Sequence, residues 1–191
     1  MSHVEKIIGY MQNAGEGNTE TVLGLAKKRA AELGIRDIVV ASTRGATGVK
    51  ASETLRGFNV TVVTHSTGFS EPGLQRLTEE NRKLIERNGA RILTSTHAFG
   101  NVERAIKDKF DTAYPTEIMA QTLKIFGQGM KVVVEIAAMA ADAGMIPTDK
   151  DVISIAGSSK GADTAVVIRP SNTNRIFDTT VREIIAKPTG N

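Results

Sequence analysis

Three times the chain runs a short, largely apolar segment into a polar, glycine-containing loop and then resumes with a helical pattern. Ile38–Ala41 leads into Ser42-Thr43-Arg44-Gly45-Ala46-Thr47-Gly48, and Val60–Thr64 into His65-Ser66-Thr67-Gly68-Phe69. Arg91–Thr94 leads into Ser95-Thr96-His97-Ala98-Phe99-Gly100. Strands rich in β-branched and small residues, without polar alternation, are buried on both faces, which is the condition of a parallel sheet covered by helices. Strand, loop and helix alternating at this rhythm predict an α/β fold of three layers, α/β/α, with a mostly parallel sheet and right-handed crossovers. A length of 191 residues suits a single domain spanning 1–191.

The remaining segments fit that frame. Lys6–Met11 predicts a first strand, and Asn18 or Thr19 is placed to cap a helix carrying Val22, Leu25, Ala26, Arg29, Ala30 and Leu33 until Gly34 stops it. Val49–Leu55 reads as a short helix, and Leu74, Leu77, Leu84 and Ile85 mark a longer one that Gly89 ends. Asn101–Phe110 is a charged helix or a mobile excursion, and Pro115 opens a helix that Gly127 and Gly129 break. Lys131–Ile136 would also pass as a strand, but the alanine-rich continuation favours one buried helix over Met130–Ala143. Val152–Ala156 and Thr164–Ile168 are strands separated by only seven residues, which suits an antiparallel pair at the sheet edge. Arg182–Ala186 is read as short amphipathic structure before a frayed end.

Composition narrows the function classes. The net charge of +3 is interspersed, no basic run exists, and aromatics are only 4%, so nucleic acid is not expected as a partner. With no cysteine there is no disulfide, no thiolate chemistry and no Cys-type zinc site. No apolar run approaches a membrane span and no signal-type segment opens the chain, so a soluble, cytoplasmic protein is expected. The apolar helix Met130–Ala143, rich in small alanines, suggests a homo-oligomer, with burial inside the monomer as the competing account.

In open α/β sheets ligands sit beyond the carboxyl ends of the strands. That rule gathers Ser42–Thr47, His65–Phe69, Ser95–Phe99 and Gly157–Asp163 into one region. Hydroxyls, glycine amides, Arg44 and Lys160 abound there while carboxylates are few, a set suited to an anion such as a phosphate. The candidate binding residues are Ser42, Thr43, Arg44, Gly45, Thr47, His65, Thr67, Gly68, Phe69, Gly157, Ser158, Ser159, Lys160 and Gly161. A tight β–α turn with no ligand is the alternative reading of each loop. Gly157-Ser158-Ser159-Lys160-Gly161 is not a Walker A loop, and no Gly-x-Ser-x-Gly elbow exists. His65 and His97, with Asp163, are the candidate catalytic residues, but with no carboxylate in its own loop to orient it each histidine leans to bracing loop backbone. No metal is expected, because no paired ligand spacing completes a shell. Glu135 and Asp142, seven apart, share a helix face that either reaches a site or a partner subunit, or is a solvated stripe or helix-capping contact.

Several of these stretches resemble the C-terminal α/β domain of pyruvate kinase, and more closely a group of stand-alone prokaryotic proteins built from that domain alone. They are Asn18-Thr19-Glu20, Val39–Thr47, Val62–His65 with Thr67-Gly68-Phe69, Glu135-Ile136 with Met139–Gly144, and Gly161–Pro170. In pyruvate kinase this domain is regulatory, and its Thr-x-Ser-Gly-Arg-Ser loop binds a phosphate of a sugar bisphosphate. Ser42, Gly45 and Thr47 match the first Thr, the Gly and the last Ser of that pattern; Ala46 stands at its arginine and Arg44 at its middle serine. The resemblance implies phosphate binding but does not carry over the identity of the effector; a module that binds a phosphorylated small molecule, such as flavin mononucleotide (FMN), another mononucleotide or a sugar phosphate, fits the donor-rich loops. The pyruvate kinase active site lies in a separate barrel domain, so that activity is not expected of these residues. A small enzyme using His65 and His97 on a phosphorylated metabolite is the second expectation.

Overall fold

The computed structural model describes residues 5–190. Seven strands form one sheet: β1 (Gly9–Met11), β2 (Asp37–Ala41), β3 (Asn59–Thr64), β4 (Arg91–Thr94), β5 (Val152–Ala156), β6 (Thr164–Arg169) and β7 (Thr180–Pro188), in the spatial order β1-β7-β6-β5-β2-β3-β4. β6 alone runs against its neighbours, pairing antiparallel with both β5 and β7, while every other pairing is parallel. The six α-helices among the described residues are α1 (Thr19–Leu33), α2 (Ala46–Thr54), α3 (Glu79–Arg87), α4 (Val102–Phe110), α5 (Pro115–Lys124) and α6 (Gln128–Asp142).

Side-chain alternation along the central strands divides the core into two layers. Ile38, Val40, Val62, Ile153 and Ile155 pack with Val22, Leu23, Ala26, Ala51 and Leu55 of α1 and α2. Val39, Val63, Val152 and Val166 point the other way, against Val133, Ala137 and Ala140 of α6, which α5 covers in turn. Burying each Val, Leu or Ile contributes about 1.5–3 kcal/mol relative to exposure, so these two layers carry the fold. The alanines let α6 lie close on the sheet.

Four sequence expectations are corrected, and the alternative left open for the apolar helix α6 is resolved. The β5–β6 pair is not at the edge: β7 and β1 continue the sheet beyond β6. Arg182–Ala186 belongs to β7, whose antiparallel ladder with β6 and parallel ladder with β1 use both of its edges. Leu74 and Leu77 precede the helix rather than starting it; α3 begins after Thr78, whose hydroxyl accepts from Asn81 N at 3.2 Å as an N-cap. Asn18 occupies the α1 cap position without a capping hydrogen bond, and its amide instead donates to the Asn13 carbonyl at 2.7 Å. The apolar surface of α6 that suggested self-association is covered within the monomer, its residues from Gly129 to Ala141 being buried except for Lys131 and Val132.

Candidate functional site

All strands except β6 end on the same side of the molecule. α1 and α2, on either side of β2 in sequence, pack on one face, while the crossover that delivers β5 comes through α6 on the other. The loops leaving β2 and β5 lie side by side at the carboxyl ends of these neighbouring parallel strands, the end of the sheet where open α/β folds hold ligands.

The β2 half is a preformed turn. Ser42 is buried and its Oγ accepts from Gly48 N at 2.9 Å, fixing the first turn of α2. Gly45 precedes the helix at φ 101°, and a Cβ there would lie 2.4 Å from Asn81 Cβ, so only glycine fits. Asn81 Nδ2 holds the Arg44 carbonyl at 2.9 Å. The Arg44 side chain is exposed and makes no ion pair among the described residues, and Thr43 and Thr47 are half-buried beside it. Helix N-terminal amides next to an open guanidinium form an anion-favouring corner.

Across the boundary, the β5 loop is tied to the loop after β1. Asp163 is fully buried; its Oδ2 accepts from Gly15 N and Ser158 N, each at 3.0 Å, and its Oδ1 from Thr164 Oγ1 at 2.8 Å. Thr19 Oγ1 accepts from Ala162 N at 3.0 Å and donates to the Glu16 carbonyl at 2.7 Å. Gly161 turns at φ 72° directly over Thr19, and a Cβ there would come within 2.4 Å of its Oγ1. Gly157 passes so near Gly161 that a Cβ would meet the Gly161 carbonyl at 2.4 Å. Ser159 and Lys160 form the exposed tip. Asp163 thus has its oxygens engaged in holding the loop.

The loops after β3 and β4 meet in a ring cluster. His65 and Phe69 centroids are 4.2 Å apart, Phe69 and His97 4.8 Å, and the two histidines 5.1 Å. Gln75 Nε2 steadies the first loop through the His65 carbonyl and Thr67 Oγ1, while Gly68 N donates to the Leu74 carbonyl. Asn101 bridges the loops, donating to Ser66 Oγ at 3.0 Å and accepting from His97 N at 3.2 Å. Behind the cluster sits Glu135 of α6, only 3% exposed. It accepts from Phe99 N at 3.1 Å, pairs with Lys131, and lies 3.7 Å from His97 Nδ1, a looser contact than an ordinary hydrogen bond. Burial alone would raise its pKa, but His97 and Lys131 outweigh that and hold it at about 2. His97 Nε2 accepts from Ser66 N at 3.4 Å, so both ring nitrogens face the loops and the carboxylate behind them.

His65 differs. Its Nδ1 is buried with no hydrogen-bond partner. Burial, then the neighbouring His97 and Arg76, lower its pKa to about 4, so the ring is neutral at pH 7. A base whose pKa is lower folded than unfolded binds its proton better in the unfolded chain, so stability falls as pH drops from about 6.5 to about 4. The expected loss over that window is about 1–2 kcal/mol, after allowing for solvent screening at a half-buried ring. Urea titrations of the wild type and His65→Phe check it: only the wild type should show this step.

The sequence-predicted residues therefore resolve into three groups. His65, Phe69 and His97 touch one another; Gly157, Ser158, Gly161 and Asp163 form the braced β5 loop; Ser42, Thr43, Arg44, Gly45 and Thr47 form the α2 corner. No side-chain hydrogen bond or ion pair among the described residues links Arg44 or Lys160 to the others. Lys131 and Asn101 were missed, although the Lys131–Glu135 spacing of four on a helix was a readable signal. Asp142 turns away from the site, accepting from Asn172 and Thr173 at 2.6–3.1 Å. Two surface hollows lie at the opposite, amino-terminal end of the strands. Two of the arginines that line them are already engaged, Arg91 by the Thr61 hydroxyl and the Met145 carbonyl, Arg169 by Asp151 at 2.7 Å. Among the described residues no cluster of His, Asp or Glu could hold a metal ion, and no helix is long and apolar enough to cross a membrane.

A search of solved structures finds Cryptosporidium parvum pyruvate kinase in complex with ADP, 12% identical, with a TM-score of 0.38 over 78% of this chain and 22% of that one. The chain thus spans about a fifth of that enzyme's length. The family model described as pyruvate kinase, alpha/beta domain, matches residues 20–168, from the start of α1 to the end of β6. On that match, covering most of the sheet and the six α-helices, the chain belongs to the pyruvate kinase alpha/beta domain family.

Proposed function

We propose that the chain is a binding module for a phosphorylated small molecule, a mononucleotide such as FMN or a sugar phosphate, held across the carboxyl ends of the strands. The carrying observation is the α2 corner: a rigid turn at the boundary of β2 and β5, Ser42 engaged with Gly48 N, and an exposed Arg44 with no ion-pair partner among the described residues. The phosphate would take the Ala46 and Thr47 amides and Arg44, and the ring cluster of His65, Phe69 and His97 offers an apolar wall to the remainder. Ala46 at the family's arginine position leaves the charge to Arg44, one residue from Gly45. A charge-assisted hydrogen bond contributes about 1.5–3 kcal/mol, so Arg44→Ala should weaken binding about tenfold to a hundredfold. Calorimetric titration of both proteins with FMN and with sugar phosphates measures this, and equal affinity in Arg44→Ala would refute the assignment.

A second reading is favoured by the contact of His97 with Glu135, since an imidazole backed by a carboxylate is a common acid–base device. Against it, His97 Nε2 already takes the Ser66 amide, and His65 is held neutral. Turnover of a phosphorylated metabolite that His97→Gln abolishes, with binding unchanged, would decide for the enzyme.

A further inference from the structure

Arg76, in the loop between β3 and α3, is half-buried and makes no hydrogen bond or ion pair among the described residues. A guanidinium drawn partly out of water is ordinarily paired, since losing hydration without a counter-charge costs stability. Arg82, its neighbour on α3, lies between Glu79 at 3.7 Å and Glu86 at 3.8 Å. The backbone around Arg76 is nonetheless fixed on both sides. Gln75 Nε2 donates to the His65 carbonyl at 3.2 Å and to Thr67 Oγ1 at 3.3 Å, and its Oε1 accepts from Leu77 N at 2.8 Å. Leu77 is buried, and a Cβ on Gly45 would lie 2.7 Å from its Cδ1. Thr78 N donates to the Arg44 carbonyl at 3.5 Å. Arg76 is therefore anchored between the ring cluster and the α2 corner. The two residues from Arg76 to Thr78 span at most about 7 Å, which leaves Arg44 and Arg76 within reach of one ligand. His65 senses the same placement, for after burial and His97 the Arg76 charge lowers its pKa.

We propose that Arg76 is a second ligand-binding cation that clamps a phosphate together with Arg44, and that the pair selects a terminal phosphate monoester over a phosphodiester. The inference rests on the phosphate reading of the α2 corner and adds to it a residue and a ligand class. A monoester above its second pKa of about 6 carries nearly two negative charges on three free oxygens. A diester carries a single charge on two. Two guanidinium groups, each a planar fork of donors, match the monoester, whereas one guanidinium and the helix amides would serve either. Gln75 and Leu77 hold the Arg76 backbone in place before any ligand arrives, which reduces the ordering cost of binding. A cation kept half-buried for a ligand does nothing for the empty fold, so removing it should not destabilise the protein.

Methyl phosphate and dimethyl phosphate are the probes, titrated into the full chain at about pH 8, where the monoester is doubly charged, and followed at the Ala46 and Thr47 amide resonances. The wild type should bind methyl phosphate in the millimolar range and dimethyl phosphate at least ~10-fold more weakly. Arg76→Ala should weaken the monoester about tenfold to a hundredfold and the diester less, so that discrimination between them shrinks. Arg76→Lys should recover part of the loss, and Arg82→Ala should bind both probes as the wild type does. Two readouts need no ligand: the urea midpoint of Arg76→Ala should equal or exceed that of the wild type, and the His65 titration midpoint should rise. Methyl phosphate bound equally by wild type and Arg76→Ala but more weakly by Arg44→Ala would overturn this proposal and leave the phosphate reading standing. No binding of methyl phosphate by the wild type would overturn the phosphate reading itself, and this inference with it. A clear loss of stability in Arg76→Ala would make the residue structural and overturn the proposal alone.

Discussion

Replacing Asp163 with alanine is expected to lower the unfolding free energy by about 3–5 kcal/mol, the scale of a buried charged acceptor removed from its donors. The carboxylate is fully buried and accepts from two backbone amides and one hydroxyl. Gly15 N lies 148 residues away in sequence, so this one side chain joins the first loop of the chain to the β5–β6 turn. Alanine leaves the part-buried Gly15 N and Ser158 N without their shared acceptor, beside the close approach of Gly161 to Thr19. Chemical denaturation reads the loss directly. A catalytic Asp163 would behave otherwise: turnover would vanish in a protein as stable as the wild type.

The fold was legible wherever burial was two-sided. Ile38–Ala41, Val60–Thr64 and Val152–Ala156 are predominantly apolar runs, broken only by small hydroxyl residues, because helices cover both faces of the central sheet, and such runs announce themselves. β7 was not legible, since Arg182, Glu183 and Lys187 interrupt it and Pro188 closes it. Those charges are tolerated because this end of the sheet is less covered: Glu183 is held by Arg29 of α1 and by Lys6 rather than packed in the core. Leu77 misled the helix boundary because it is buried from a loop, where its spacing to Leu84 mimics a helical face. At the site, residue types were readable and roles were not. Asp163 and Glu135 stood out as carboxylates, but their partners come from distant segments: Gly15 for one, Phe99 and His97 for the other. His65 and His97 read as equivalent strand-end histidines, yet one is backed by a carboxylate and the other has an orphaned Nδ1. That difference comes from α6, which the sequence pattern leaves unconnected to either loop.

The pair behind the ring cluster is the second large term. Glu135→Gln is expected to cost about 2–4 kcal/mol, because it leaves the Lys131 ammonium, whose side chain is 15% exposed, without its counter-charge. Lys131→Met should cost a similar amount for the reverse reason. The double variant should lose clearly less than the two single losses added, since neither charge is then left unpaired, and a double-mutant cycle measures that coupling. The pH dependence fixes the sign independently. A carboxylate held at about 2, against an ordinary 4.5, stabilises the folded state fully above about pH 4.5, and the contribution drains away as pH falls through about 2. The gap between wild type and Glu135→Gln should therefore be flat from pH 7 to about 5 and close below pH 4. The His65 step lies higher, between about 6.5 and 4, and should be the same in both proteins if the two groups act separately. The two histidine-bearing loops rest on Glu135 through Phe99 N and His97, so losing the carboxylate should also loosen them. Hydrogen exchange at Phe99 N should then accelerate more than at the β2 core amides, and equal acceleration at both would assign the loss to global stability alone.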